Sequence, residues 1–272
     1  ILEDMDARGI HKSVVTASTV LQGTSWADAP TDLALCQRCN DQAANWVALY
    51  PDRFIGSMVL PLQDVALATQ ELKRASEQLK LPVVNMSSSY NGVYMGDPVY
   101  HSFWEALNAH ELTVWIHPEG IRDPWFQRYA LWNSLGQSIE ETKCMASLIY
   151  EGVMTKFPSL KVVMAHGGGY FVHYMGRLDR NTANRPDTVR NMDGQTPSSF
   201  LRRFYYDTCV YDPKVLAVLR ERVGSDRLVM GSDYPVGEKD PVGWLKDAGL
   251  SGQELADVAG GNAARLIGLS KP

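Results

Sequence analysis

Short runs of apolar, β-branched residues alternate along this chain with longer stretches whose apolar positions recur every three or four residues. Runs of the first kind read as buried strands and those of the second as amphipathic helices. Strands are predicted at 13–17 (SVVTA), 54–60 (FIGSMVL), 82–86 (PVVNM), 112–116 (LTVWI), 161–165 (KVVMA), 204–210 (FYYDTCV) and 227–232 (RLVMGS). Helices are predicted at 1–9, 32–49, 65–79, 97–110, about 140–157, about 170–181 and 213–223, with short ones near 253–259 and 263–269. Asp97-Pro98 is a good helix start. Residues 87–96 and 185–198 read as polar loops.

Strands that alternate with helices imply a parallel sheet built from right-handed crossovers. The expected fold is an α/β (β/α)8 TIM barrel of metal-dependent hydrolase type. Only seven strands are visible and the sequence opens on a helix, so the barrel is expected to lack its first, N-terminal strand in these 272 residues. No linker, repeat or low-complexity tract interrupts the pattern, so residues 1–272 read as a single barrel domain. An open doubly wound sheet is the rival. It fits less well, because no G-x-G-x-x-G follows the first visible strand and polar strand ends are spread along the whole chain.

Composition narrows the function. Hydrophobic residues make up 45% and charged residues 21%, enough for a sizeable core. A net charge of -5 argues against nucleic acid or an anionic membrane as partner. No apolar run reaches transmembrane length, and no signal-peptide pattern is visible. Of the four cysteines, Cys36 and Cys39 form a C-x-x-C within a helical stretch, with no second pair. They read as ordinary thiols of a reduced, cytoplasmic compartment rather than a zinc or redox site.

Three strands run out onto side chains that can hold or activate a metal: His117 in Ile-His-Pro, His166 in Ala-His-Gly-Gly-Gly, and Asp233 in Gly-Ser-Asp-Tyr-Pro. Carboxyl ends of parallel strands are where barrel enzymes keep their chemistry. Alone, His117 would read as a hydrogen-bonded core histidine and Asp233 as a helix cap. Together with His166 they read as a site. His166 suits a general acid/base near neutral pH, and three glycines after it let backbone approach a ligand closely. Asn85 and Asp207, at other strand ends, are weaker pocket candidates. Trp125, Phe126, Tyr129 and Trp132 form an aromatic cluster after His117, by default core packing, of which one or two could line a pocket for a flat substrate. His101, His110 and His173 read as exposed or capping residues.

These motifs, together with Glu3-Asp4-Met5-Asp6-Ala7-Arg8-Gly9-Ile10, Tyr50-Pro51-Asp52-Arg53-Phe54, Leu60-Pro61-Leu62-Gln63-Asp64 and Met175-Gly176-Arg177-Leu178, resemble amidohydrolase family 2, the decarboxylase-like branch of the amidohydrolase superfamily. The resemblance covers nearly the whole chain. It implies one catalytic divalent metal, usually Zn2+, with His117 and Asp233 as ligands and His166 as the acid/base. It implies a homodimer in which Arg177 reaches the neighbouring subunit's site and holds a substrate carboxylate. Read alone, Arg177 is a surface cation. The substrate implied is a small carboxylic acid, with Trp132 and Asn85 as further binding candidates, and the reaction loss of CO2 from an aromatic or unsaturated acid. A hydrolase or hydratase of a lactone, amide or C=C bond is the rival within enzymes. A ligand-binding barrel that has lost its metal is the rival outside them. The sequence departs from the family in three places. It contains no His-x-His pair, which in the family supplies two more ligands on the first strand, and without which the metal is expected to be absent or incompletely coordinated. Glu119-Gly120 follows His-Pro, and Val236 stands where such decarboxylases have an aromatic.

Overall fold

The computed structural model describes residues 1–22 and 26–269. Seven parallel strands form one sheet in the order β1 (Ser13–Val15), β2 (Phe54–Met58), β3 (Val83–Met86), β6 (Thr113–Ile116), β7 (Lys161–Met164), β8 (Phe204–Asp207) and β9 (Leu228–Val229). The intervening β4 (Ser89–Tyr90) and β5 (Val93–Tyr94) form a separate antiparallel hairpin. Sequential neighbours pair throughout, as in a singly wound barrel. The sheet is strongly curled, because Val14 of β1 and Val229 of β9, the two outermost strands, line the same narrow interior space as Val83, Thr113, Trp115 and Val163. The helix Asn262–Leu266 closes that space from below, and the Thr113 hydroxyl donates to the Leu266 carbonyl at 3.0 Å. This is the (β/α)8-barrel architecture, with seven of its strands among the described residues.

The strands form where β-branched residues meet helices outside and one another inside. Val84, Val114, Val162 and Tyr206 are fully buried beneath the helical layer. The helix Ala29–Leu49 begins at Asp28, whose carboxylate accepts from the Thr31 N–H, with Pro30 just inside. Pro213–Val223 begins the same way on Asp212. Such caps leave the strand-to-helix loops to emerge on one face, which is where the site forms.

Several boundaries differ from the sequence expectation. The expected long helix at 140–157 is two: Gly136–Tyr150 and Val153–Lys156, separated at Gly152, whose φ of +83° no α-helix contains. Asp97 caps a 3-10 turn at 98–100 before the helix proper, His101–Ala109. The expected helix at 170–181 starts only at Met175, after an isolated turn at 171–173. The loop after β3 contains the β4–β5 hairpin. Its turn is Asn91-Gly92, both left-handed at φ +51° and +80°, the pairing that a two-residue hairpin turn requires. Among the described residues, no helix is long and apolar enough to cross a membrane.

Candidate active site at the carboxyl end of the barrel

His117 follows β6 directly, and its backbone N–H donates to the Met86 carbonyl at 3.0 Å, extending the ladder by one residue. His166 lies two residues past β7 and Asp233 four past β9. One potential ligand atom from each of these three lies within 4.8 Å of the other two. The two imidazoles meet edge to face, with centroids 5.0 Å apart. Three loops thus deliver two nitrogens and a carboxylate to one point.

Delivery needs unusual backbone. His166 has φ +46° and Asp233 φ +50°, left-handed conformations that side chains with a Cβ adopt at a cost. After His166, Gly167, Gly168 and Gly169 are all left-handed. The glycines do more than approach a ligand, as the sequence suggested: they press against the protein's own wall. A Cβ on Gly168 would lie 2.9 Å from the Met145 sulfur and the Tyr206 ring, and one on Gly169 would lie 2.2 Å from the Ser138 carbonyl oxygen. Gly169→Ala is therefore expected to destabilise the fold by about 3 kcal/mol, the sum of overpacking and a left-handed alanine. Thermal denaturation should show a Tm fall of roughly 6–12 °C; a Tm within a degree of the parent would show that the turn has slack.

Behind His166 stands a residue that the strand-end reading missed. Glu141, on the helix Gly136–Tyr150, is fully buried, and its Oε1 lies 2.5 Å from His166 Nδ1. Its other oxygen has no hydrogen-bond partner. The sequence did carry a signal: Glu141 shares a helix face with Cys144, Met145 and Leu148, all buried, so a carboxylate interrupts an apolar stripe. Asp207, at the end of β8, is a second buried carboxylate, accepting from the Cys209 N–H at 3.0 Å. Tyr211 donates its hydroxyl proton to Asp233 Oδ2 at 2.7 Å.

The charges sort accordingly. Burial pushes Glu141 up to about 7, against the pull of His166. Burial also works against a charged His166, but the Glu141 carboxylate outweighs it and lifts the imidazole to about 9. Together the two side chains hold a proton through neutral pH. His117 goes the other way. Burial and the neighbouring His166 charge lower it to about 4, so at neutral pH it is an uncharged imidazole with a lone pair to give. Burial raises Asp207 as well.

The remaining sequence candidates are scattered. Asn85 is buried, with an amide oxygen that has no partner. Trp132 is 39% exposed, and its carbonyl accepts the Ile121 N–H, so it packs over the loop that follows His117. Trp125 and Tyr129 are exposed, Tyr129 at 90%, which overturns core packing as their default role. Arg177 is exposed on Met175–Asn184. Of the four other histidines, His11 is exposed while His101, His110 and His173 are half-buried. All four cysteines are free thiols, three of them buried.

The donor set fits a divalent cation. Two imidazoles and a carboxylate are ordinary ligands for one, His117 Nδ1 is buried without a hydrogen-bond partner, and three carboxylates surround two histidines.

The chain is similar to known proteins over nearly its whole length. The chain is 31% identical over 274 aligned residues to 2-amino-3-carboxymuconate-6-semialdehyde decarboxylase from Dictyostelium discoideum, covering 98% of this chain and 76% of that protein. It is 26% identical to gamma-resorcylate decarboxylase from a Polaromonas strain, over 98% of this chain and 86% of the relative. The crystal structure of 5-carboxyvanillate decarboxylase from Sphingomonas paucimobilis superposes with a TM-score of 0.87 at 30% identity, covering 99% of this chain and 82% of that one. Residues 3–269 match the family profile described as amidohydrolase, and the chain belongs to that family.

Proposed function

We propose that this protein is a metal-dependent carboxy-lyase that removes CO2 from an aromatic or unsaturated carboxylic acid. The observation that carries the reading is the meeting of His117, His166 and Asp233 around one point, with a buried carboxylate behind His166. The relatives sharing about a third of its residues, decarboxylases of such acids, support it.

In this reading His117 and Asp233 hold the cation. Neutral imidazole nitrogen and carboxylate oxygen suit Zn2+. When bound, the cation supplies Lewis-acid polarisation of a substrate oxygen. The chain's own residues do the rest. Glu141 holds Nδ1 of His166, which fixes the ring and leaves Nε2 to carry the mobile proton. The bond between the substrate carbon and its carboxylate breaks, the electron pair stays with that carbon, and the His166 proton ends there as CO2 leaves. His166 then recovers a proton from solvent. Asn85, whose buried amide oxygen lacks a donor, accepts from a substrate hydroxyl. Trp132 flanks the flat ring. Arg177 grips the carboxylate in bidentate fashion from a second copy of the chain in a homodimer; its exposure on a short helix supports that assignment.

Product analysis tests the function. Incubating metal-supplemented protein with a panel of hydroxylated benzoates and unsaturated diacids is expected to release one CO2 per substrate consumed. Addition of water to any of them without CO2 release would refute decarboxylation in favour of hydration or hydrolysis.

A further inference from the structure

We propose that Tyr211 is a positioning residue, which fixes the Asp233 carboxylate for the cation, and that Gly237 is the residue that leaves room for it. The inference rests on the metal-site reading given above. Tyr211 lies in the loop after β8, Asp233 and Gly237 in the loop after β9. Both Tyr211 and Asp233 are left-handed, at φ +53° and +50°. A tyrosine adopts such a turn only at a cost, an aspartate more readily, so the surrounding loops must hold Tyr211 against relaxation. Backbone outliers of this kind cluster where a side chain has to be aimed. Here the two aim at each other: the Tyr211 hydroxyl reaches Asp233 Oδ2 at 2.7 Å.

The loop closes around the same point. The N–H groups of Val236 and Gly237 both donate to the Asp233 carbonyl, at 3.0 and 2.8 Å, and Glu238 donates to Ser232 at 2.9 Å. That coil brings Gly237 against the pair. A Cβ there would lie 2.7 Å from the Tyr211 oxygen, 2.5 Å from Asp233 Cβ and 2.3 Å from the Ser232 carbonyl. Gly237 has no left-handed φ, so conformational freedom does not explain it; the space does. Asp233 is held by its main chain from one side and by a phenol at one carboxylate oxygen from the other. A carboxylate so held binds a cation without first losing its own rotational freedom.

Tyr211 is 51% exposed. Removing its hydroxyl therefore opens no buried hole, and its effect on the site separates from its effect on the fold. The experiment measures affinity of the full chain for Zn2+ by competition against a chromophoric chelator, with thermal denaturation alongside. Tyr211→Phe is expected to weaken Zn2+ binding about 10–100-fold, the usual range for loss of an outer partner, with little change in the melting curve of metal-free protein. Gly237→Ala should weaken it similarly, and the double variant no more than the worse single one, because both changes break one contact. Asp233→Asn is the control and should abolish binding. Zn2+ affinity unchanged in Tyr211→Phe while Asp233→Asn loses it would overturn the role of Tyr211 alone. Affinity unchanged in Asp233→Asn would overturn the metal-site reading, and this proposal with it.

Discussion

His166→Asn is expected to lower kcat by about 10²–10⁴, the range for loss of a positioned proton donor, while Zn2+ binding persists. Asparagine is the right replacement because position 166 is left-handed, and asparagine is among the few residues that tolerate it. The substitution strands Glu141. A buried carboxylate that loses its partner costs about 3–5 kcal/mol if it stays charged, so it will take up a proton instead. Glu141→Gln should then recover stability in the His166→Asn background without recovering activity. That split separates a proton-handling His166 from a merely structural one.

The same pair sets the alkaline side of the pH dependence. Both groups are raised in the folded state, His166 to about 9 and Glu141 to about 7. Native protein therefore binds more protons than unfolded protein across the window from about 4.5 to 9. The stabilisation is fully present below that window and is lost as pH rises through the folded values. Activity that needs a protonated His166 should fall on an alkaline limb near 9. In Glu141→Gln, with the strongest opposing carboxylate gone and only Asp207 and Asp233 left to offset burial, that limb should move to lower pH. A pH–rate profile whose alkaline limb is identical in the parent and in Glu141→Gln would remove Glu141 from the proton path.

Much of this site was legible in the sequence because a parallel sheet has a simple rule: strand ends on one face converge. His117, His166 and Asp233 each follow a recognisable apolar run, so their meeting needed only the barrel closure. Glu141 was not legible that way, because it comes from a helix and reaches the site through packing. Its mark was a charge on a buried face, which only the contact with His166 turns into a role. Tyr211 has no pattern at all; a tyrosine four residues beyond a strand is ordinary until its loop turns left-handed. The split of the expected 140–157 helix was written in Gly152, but a lone glycine in a helical pattern is tolerated often enough to be passed over. The β4–β5 hairpin was signalled by Asn91-Gly92 and obscured by flanking strands of only two residues each, too short to show alternation.

His117→Ala carries the other large effect. With the imidazole gone, Asp233 remains the sole ligand among the residues assigned to the cation, and Zn2+ affinity should fall by more than about 100-fold, beyond what loss of an outer partner costs. Activity should fall with it and should not return at any pH. The parent protein makes a further, less obvious prediction. His117 is lowered to about 4 by burial and by the charge on His166. An ordinary histidine ligand, with a pKa near 6.5, begins to lose its metal to protons below about pH 6.5. Proton competition at His117 should begin roughly two units lower, so titration with acid should leave Zn2+ bound at pH 5.5. The stability sign is opposite to that of the Glu141–His166 pair. Unfolded protein binds a proton at His117 that native protein refuses between about 4 and 6.5, so this term destabilises the fold as pH falls through that range. His117→Ala deletes it, and the variant should therefore lose less stability than the metal-free parent between pH 6.5 and 4.5. Parallel acid-denaturation curves of the two metal-free proteins would mean that His117 is not held neutral by burial, and the low-pH retention of Zn2+ would lose its physical basis.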